Sequence, residues 1–388
     1  MTMAETIIYK GRGNPEMYDD YMDFINYVFG FNGNEQDFKK LLPKLYNPEC
    51  NPCYNNYVVT ENGKLKAAIG AFDSELVVGD EVLKCRGIGN VAVHPYSRSK
   101  GYMIDCMNLA LADMIKDGVD YSILGGQRQR YNYFGFDYVG LVYSVDIGGT
   151  NLRHAFRDVP FTDLELHAVS RDECELIDKM YLSHKTHPMR TVREPEKFYD
   201  VCVSWRATPY AILKNDEYIG YFINNLQELT LNDINDFDDV VRNYVRKIGS
   251  VTLNIPDWNE EMLTRAIRIC GNYYVERCDM FNIFNYKKVV GALLEFEASY
   301  KPMLDGELTV LIHGFAGDEK LKITTHSEKI CDKYTSVEEY NGECTLELSH
   351  MEAMSFFFGI ASPYRRKISP AVSYALPIPL YVENADHV

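Results

Sequence analysis

The sequence predicts a mixed α/β (α+β) protein in three consecutive parts, and three observations lead to that fold class. The chain has 388 residues, which is enough for two or three domains of about 150 residues each. Apolar residues make up 46% of it and aromatic residues 13%, an ample supply for packed cores. Strand-like and helix-like patterns alternate along the chain, and one succession of hairpin, strand, loop and helix occurs twice. We therefore expect domains at residues 1–149, 150–286 and 287–388.

The first part opens with a predicted helix over residues 15–29. Pro15 suits a first helical turn, where its missing N–H costs no hydrogen bond. The apolar face of this helix consists of Tyr18, Met22, Ile25 and Phe29.

An antiparallel meander is predicted after this helix. Asn62-Gly63 lies between two extended runs and is a strong hairpin signal, because both residue types tolerate a positive φ. A second reversal at Gly79-Asp80 leads into a predicted strand at residues 82–93.

A loop and a long helix follow that strand. The helix begins near Gly101, and its apolar side consists of Ile104, Met107, Leu111 and Met114. Residues 121–126 and 138–147 predict two further strands, which complete one α/β domain.

The second part repeats this order without the basic loop. Residues 210–224 mirror the first hairpin, with Asn215-Asp216 at the turn. Residues 249–267 stand where the strand, loop and helix should be, and the loop is acidic through Asp257, Glu260 and Glu261. A phosphate that approached this helix start would be repelled, so we expect a related fold without an anion site.

The third part predicts a small α+β domain with an irregular C-terminal arm. Its strand-like runs are residues 306–314, 319–326 and 343–349. An apolar helix is predicted at residues 350–359. Long regular structure is excluded from the arm by Pro363, Pro370, Pro377 and Pro379.

Charge and composition narrow the possible partners. There are 56 Asp and Glu against 40 Lys and Arg, a formal net charge of -16. This acidity argues against nucleic-acid and membrane binding, and it is compatible either with a cationic small substrate or simply with solubility. No signal peptide is expected in the first residues and no apolar run reaches about 18 residues, so we expect a cytoplasmic protein.

Two groups of potential metal ligands are interpreted as structural, and no metal is expected. The ten cysteines follow no disulfide framework. Cys50 and Cys53 have redox or metal spacing but lack a second pair. His184 and His187 share a helical face but lack a nearby third ligand, so we interpret them as surface or satisfied residues.

The segment of residues 90–111 gives the strongest indication of a binding site in the sequence. A strand that ends at Val93 is followed by Arg98, Lys100 and Gly101 at the start of a helix. The first N–H groups of a helix lack partners and lie at the positive end of its dipole, and glycine permits close approach of a ligand. These features predict a pyrophosphate cradle.

The dinucleotide and P-loop glycine motifs are absent, but another pattern is present. Residues 91–102 follow V-x-V-x-P-x-x-R-x-x-G-x and resemble the coenzyme A loop of the GNAT N-acetyltransferase superfamily. Residues 130–140, "RYNYFGFDYVG", resemble its downstream Y-x-x-F-G-F element. One departure is Met103, where the superfamily often has glycine or alanine.

Two further features resemble the enhanced-intracellular-survival (Eis) type of this superfamily. One is a degenerate second GNAT-like domain that contains "HPMRTVREPEKFY" at residues 187–199. The other is a C-terminal domain similar to sterol carrier proteins, in "MSFFFG" at residues 354–359 and the strands before it. The resemblance covers the whole chain and implies two tandem GNAT-like domains, a sterol-carrier-like domain and a symmetric homo-oligomer, commonly a hexamer.

The resemblance implies acetyl-CoA as co-substrate and assigns residues to it. The strand residues Val91, Ala92 and Val93 would pair with the pantetheine. The pyrophosphate would be held by Arg98, Ser99, Lys100, Gly101, Tyr102, Met103 and Ile104. Gly126 and Gln127 would flank the acyl chain, whereas Arg128 and Arg130 are interpreted as solvated charges.

Acetyl transfer to an amine needs a base for the amine and an acid for the departing thiolate. Tyr131 matches the tyrosine of the family's element and is the predicted acid, with Tyr133 as the competing residue. The strand before the loop has no carboxylate, and the Eis-type resemblance implies that the terminal carboxylate, here on Val388, is the base. Relatives usually end in an aromatic residue, so Glu383 and Asp386 are the next candidates.

The sequence thus predicts an acetyl-CoA-dependent N-acetyltransferase that acts on a primary amine of a cationic small molecule or lysine-like group. A lipid- or acyl-CoA-binding protein, in which the GNAT-like halves are only structural, is the alternative. Retention of Arg98, Gly101 and Tyr131 in the first half favours catalysis.

Overall fold

The computed structural model describes residues 6–47 and 49–388, and its strands form four sheets. The predicted mixed α/β architecture is confirmed. The largest sheet has eight strands and contains one parallel pair among antiparallel ones. Of the helices in the described ranges, none combines the length and apolar character needed to cross a membrane.

The N-terminal part supplies six strands and five helices. The strands are β1 (Ile8–Arg12), β2 (Asn56–Glu61), β3 (Lys64–Val78), β4 (Glu81–Val93), β5 (Tyr121–Leu124) and β6 (Asp137–Val139). The helices are α1 (Tyr18–Gly30), α2 (Phe38–Leu41), α3 (Pro43–Tyr46), α4 (Tyr102–Lys116) and α5 (Arg128–Tyr131).

The hairpin between β2 and β3 forms where it was predicted. Asn62 and Gly63 take φ values of 49° and 77°, the left-handed pair that matches the twist of two adjacent strands. Strand β4 pairs antiparallel with β3 on one side and parallel with β5 on the other. The predicted strand, loop and helix therefore lie at the centre of the sheet.

Two predicted apolar positions are exposed. Phe29 is 43% exposed; it lies in the last turn of α1, where its ring contacts Phe38. Ile104 is 44% exposed, because it lies in the first turn of α4 beside the loop. The remaining predicted positions on α4 are buried.

The middle part supplies nine strands and five helices. The strands are β7 (Val142–Gly148), β8 (Glu165–Ala168), β9 (Met189–Thr191), β10 (Pro209–Lys214), β11 (Glu217–Ile223), β12 (Gln227–Leu231), β13 (Ser250–Pro256), β14 (Asn272–Glu276) and β15 (Asp279–Ile283). The helices are α6 (Gly149–Ala155), α7 (Cys174–His184), α8 (Phe198–Val203), α9 (Phe237–Ile248) and α10 (Glu260–Ile269). Strands β10 and β11 form the predicted second hairpin.

The two halves exchange strands. Strand β7 leaves the first sheet and pairs with β13 and β14, while β15 returns to lie between β5 and β6. The division at 149/150 and 286/287 stays a prediction, and both exchanged strands pair across it. Neither exchange has a local signature, because strand pairing depends on which edges are open in the folded protein.

The C-terminal part is α11 (Tyr286–Glu297), β16 (Gly306–Gly314), β17 (Gly317–Ile330), β18 (Lys333–Glu339), β19 (Leu346–Ser349), α12 (His350–Phe358) and α13 (Pro370–Tyr374). Strand β18 was not predicted, since its sequence contains few apolar residues. The core of this part is continuous with β3, β4, β5 and β15, so it packs directly on the first sheet.

Candidate active site

Strands β4 and β5 separate at the centre of the first sheet. Their parallel pairing ends at Ile88 opposite Leu124, whereas β4 continues to Val93. Beyond this point β4 has an open edge towards β5, and Val91 and Val93 are half-buried. An extended ligand chain with amide groups could hydrogen-bond to that edge as an additional strand.

The loop after β4 presents free backbone N–H groups. Ser99 and Gly101 have φ values of 64° and 82°, and α4 begins directly afterwards. Within the described residues, no side chain caps the N-terminus of α4, so its first N–H groups can bind an anion. Arg98 is exposed beside them.

Lys100 and Tyr102 share an unpredicted partner, Glu61 at the end of β2. Nζ of Lys100 lies 2.7 Å from Oε1 of Glu61, and the Tyr102 hydroxyl donates a hydrogen bond to the same oxygen. The hydrogen bond from Lys100 holds the pKa of Glu61 below its usual range. A phosphate would compete with Glu61 for Lys100, and Arg98 is the loop cation without an ion pair to any described residue.

The two candidate tyrosines lie in different environments. Tyr131 is 5% exposed and packs in the core on the α4 face, and burial raises the pKa of its hydroxyl. Tyr133 is 79% exposed. The ring of Tyr131 lies against Gly126, where a Cβ would be 2.4 Å from Cε2 of the ring. Gln127 is exposed at the start of α5.

The last residue of the chain lies on β4. A Cβ on Gly89 would be 2.9 Å from the carboxyl carbon of Val388, and one on Gly87 would be 2.7 Å from its Cγ2. Val388 packs with the core on the α1 face of the sheet, opposite the face that holds Tyr131. Val388 and Tyr131 therefore pack on opposite faces of the sheet.

A cavity of about 350 Å³ is lined in part by Val388. Its wall combines the end of β5, the segment after α8, the β11–β12 turn and the C-terminal residues. Trp205, Asn224 and Glu228 line it and have φ values of 61°, 47° and 52°. Left-handed backbone at residues other than glycine is unfavourable and tends to occur at functional sites.

The other two candidate bases differ from each other. Asp386 is bound by Arg193, with its two oxygens 2.8 and 2.9 Å from Nε and Nη2, and this cation is the largest influence that holds the pKa of Asp386 low. Glu383 lines the cavity, and burial raises its pKa to about 8. Near neutral pH Glu383 is therefore mostly protonated, and Asp386 is committed to an ion pair.

Arg128, the Cys50 and Cys53 pair and the His184 and His187 pair make contacts that are typical of structural residues. Arg128, interpreted as a solvated charge, instead forms an ion pair with Asp137. The Cys53 thiol is buried, and burial raises its pKa to about 11. His184 is buried and contacts the backbone oxygen of Thr191 through Nε2, at 3.0 Å. In residues 6–47 and 49–388, no cluster of three or more His, Cys, Asp or Glu could hold a metal ion.

Sequence reasoning missed several residues of this site. Gly87 and Gly89 alternate within a strand, a pattern that can indicate close approach of another group and could have been noticed. Lys44 and Arg193, which hold the C-terminal residues, carry no local signal.

Comparisons with known proteins identify a family domain and related folds. Residues 12–139 match the acetyltransferase (GNAT) domain model. No curated protein matches the sequence significantly. A GCN5-related N-acetyltransferase from Kribbella flavida is 13% identical, with a TM-score of 0.65 over 99% of both chains.

Two other solved structures have the same fold. A probable N-acyltransferase of unknown function from Enterococcus faecalis V583 is 16% identical, with a TM-score of 0.64 over 99% of this chain and 100% of its own. Eis1 from Mycobacterium abscessus is 12% identical, with a TM-score of 0.60 over 99% of this chain and 100% of its own. Residues 12–139 therefore form a GNAT acetyltransferase domain, and this match supports an acetyl-CoA-dependent N-acetyltransferase.

Proposed function

We propose that the protein transfers the acetyl group of acetyl-CoA directly to a primary amine of a cationic small molecule or of a lysine-like group. The observation that carries this proposal is the position of Val388, which lines the cavity and whose carboxyl group lies against Gly89 on β4. A carboxylate there can receive a proton from an amine that enters the cavity.

The base is needed because an alkyl ammonium with a pKa near ~10 is mostly unreactive at neutral pH. The Val388 carboxylate accepts one proton from the ammonium, and the freed nitrogen attacks the thioester carbonyl. The other acidic groups of the cavity wall add little net charge, because Glu383 is mostly protonated near neutral pH and Arg193 offsets the charge of Glu228.

Tyr131 is the proposed acid on the other face of the sheet. Its phenol donates a proton to the thiolate as the carbon–sulfur bond breaks. The attacking nitrogen loses its second proton, which returns to the tyrosinate through solvent, and the acetylated amine and free coenzyme A result. Burial and the resulting high pKa keep this phenol protonated at neutral pH, as a general acid requires. The exposed Tyr133 has no such environment.

For the co-substrate, we propose pairing of the pantetheine with Val91, Ala92 and Val93 at the open edge of β4. The free N–H groups at the start of α4 and the Arg98 guanidinium would hold the pyrophosphate. Gly126 and Gln127 would flank the acyl chain. The exposure of the loop and the half-burial of Val91 and Val93 support this arrangement.

We also propose an Eis-type organisation, with a degenerate second GNAT-like domain, a sterol-carrier-like third domain and a homo-oligomeric assembly. Asn259, Glu260 and Glu261 support the loss of the anion site, because Asn259 caps α10 where the first half leaves α4 uncapped. The edge strand β14 exposes Tyr273 and Tyr274, which supports contact with a second copy.

The packing of the C-terminal part favours the acetyltransferase proposal over the lipid-binding alternative. Its interior is filled by aromatic side chains that are almost fully buried, namely Tyr286, Phe356, Phe357 and Phe358. The wide groove beside α11 carries Lys287, Lys288 and Glu295, whose charges suit an acyl chain poorly.

The test is coenzyme A release from acetyl-CoA with polyamines, aminoglycosides and lysine peptides, with the product identified by mass spectrometry. Matched alcohols serve as controls. We expect release that depends on the amine and an N-acetylated product. No release above the uncatalysed rate with any amine, together with displacement of a fluorescent fatty acid from the protein, would favour the lipid-binding alternative.

A further inference from the structure

We propose that Lys44 and Arg193 are positioning residues that hold the end of the chain so that the Val388 carboxyl group stays on Gly89. This inference rests on the proposed role of that carboxyl group as the base. The two cations belong to different halves of the protein: Lys44 lies in α3, and Arg193 follows β9. We call Lys44, Arg193 and Glu228 the tail clamp.

Arg193 holds the side chain of Asp386 from the middle part of the protein. Its guanidinium binds Glu228 through Nη1 and Nη2 at 2.6 and 2.7 Å, and Asp386 through Nε and Nη2 at 2.8 and 2.9 Å. All three side chains are at most 4% exposed. Such doubly bidentate pairing fixes both the distance and the orientation of Asp386.

Glu228 is itself held by neighbouring side chains, and its ion pair restrains the orientation of the Arg193 guanidinium towards Asp386. The hydroxyl of Tyr221 donates a 2.5 Å hydrogen bond to Oε1 of Glu228. Nδ1 of His184 lies 3.6 Å from the same oxygen. Glu228, the carboxylate that binds Arg193, is therefore fixed within the sheet that contains β11.

Lys44 holds the backbone of the tail from the N-terminal part. Its Nζ donates hydrogen bonds to the carbonyl oxygens of Ala385 and His387, at 2.6 and 2.7 Å. Lys44 is 9% exposed, and burial lowers its pKa to about 8. The negative charge of Asp386 opposes this effect, and Lys44 therefore stays mostly protonated at neutral pH. Nε1 of Trp205 donates a further hydrogen bond to His387, at 3.2 Å.

These contacts end at His387, the residue before Val388. Ala385, Asp386 and His387 are each held, by backbone or side chain, and Val388 carries the free carboxyl group. One residue of extended chain spans about 3.5 Å, so fixing His387 restricts the carboxyl group to the surface of β4. Catalytic groups need this restriction, because a displacement of about 1 Å can cost two orders of magnitude in rate.

The experiment is a double-mutant cycle between the clamp and the base. Lys44→Met removes the ammonium but keeps an apolar stem, and a short glycine-serine extension after Val388 converts the carboxylate to an amide. We expect Lys44→Met to lower kcat about ten-fold or more with acetyl-CoA affinity within about two-fold of wild type. In the extended protein, the same substitution should cause no further loss.

The matched control is Lys40→Met, since Lys40 is a neighbouring exposed lysine that is paired only with Asp37. If Lys44→Met fails to fold, as judged by circular dichroism, Asp386→Asn replaces it in the cycle, because the amide keeps the volume and leaves the Arg193–Glu228 pair intact. Arg193 itself is not substituted, since its loss would leave two carboxylates buried without a cation.

The outcomes separate this inference from the proposed function. Normal turnover in the extended protein would overturn the role of the Val388 carboxylate, and the clamp with it. A slow extended protein combined with normal turnover in Lys44→Met and Asp386→Asn would overturn the clamp alone. An equal loss on both backgrounds would assign Lys44 a purely structural role and would also overturn it.

Discussion

The carboxyl group of Val388 lies on Gly89, close enough that a Cβ on this glycine would be 2.9 Å from the carboxyl carbon and 3.2 Å from an oxygen. Strand β4 carries no carboxylate of its own beside the opening between β4 and β5. The end of the chain brings one to this position, and the absence of side chains at Gly87 and Gly89 makes room for it.

Gly89→Ala should lower turnover while acetyl-CoA binding persists. Gly89 has no positive φ, so alanine fits the backbone, and the three atoms nearest to the new methyl group all belong to Val388, which it would displace. We expect a loss of kcat of about ten-fold or more, because general-base catalysis contributes roughly 10²–10⁴-fold. Steady-state kinetics and acetyl-CoA titration measure the two effects.

The control for this substitution is Gly291→Ala in α11, where a Cβ would meet Val337 at an ordinary 3.7 Å. It should keep wild-type turnover. Wild-type turnover in Gly89→Ala as well would mean that the carboxyl group is not the base.

Arg98→Ala should weaken acetyl-CoA binding about ten- to a hundred-fold with little change in kcat, since a charge-assisted contact to phosphate contributes ~1.5–3 kcal/mol. Lys100→Ala should have a smaller effect, because its ammonium already binds Glu61. Isothermal titration of both variants with acetyl-CoA gives the comparison. An unchanged Kd for Arg98→Ala would contradict the pyrophosphate cradle.

Tyr131→Phe should lower kcat by roughly 10²-fold or more and leave acetyl-CoA affinity nearly unchanged, because the ring that packs on Gly126 is retained and only the acidic proton is lost. Tyr133→Phe is the matched control and should behave as wild type, since Tyr133 is 79% exposed. If the effects of the two substitutions were reversed, Tyr133 would be the acid.

Acid should destabilise the protein partly through His187, whose pKa burial lowers from 6.5 to about 4. Between these values the unfolded chain binds a proton that the folded protein does not, so the free energy of unfolding falls as the pH drops from about 6.5 to 4. Relative to wild type, His187→Asn should show a weaker dependence on pH in urea unfolding. The exposed His154→Asn should follow wild type, and parallel curves for all three proteins would contradict the prediction.

Several elements could be predicted because their causes are local. Asn62-Gly63 and Asn215-Asp216 form hairpin turns wherever extended runs flank them, since the left-handed conformation is a property of these residues themselves. The strand, loop and helix around Gly101 likewise follow from the apolar pattern and the glycine. The candidate residues Arg98 and Tyr131 were found through motifs contained in short segments.

Local patterns were thus sufficient to predict the order of the elements, the position of the loop and the residue types in it. The exchange of β7 and β15 between sheets, the binding of Lys100 by Glu61 and the position of Val388 on Gly89 became apparent only in the folded protein. These contacts join segments that are distant in the chain. Such contacts form where the folded protein has an unpaired strand edge, an unpaired charge or an unfilled space. The local sequence of one partner therefore does not identify the other.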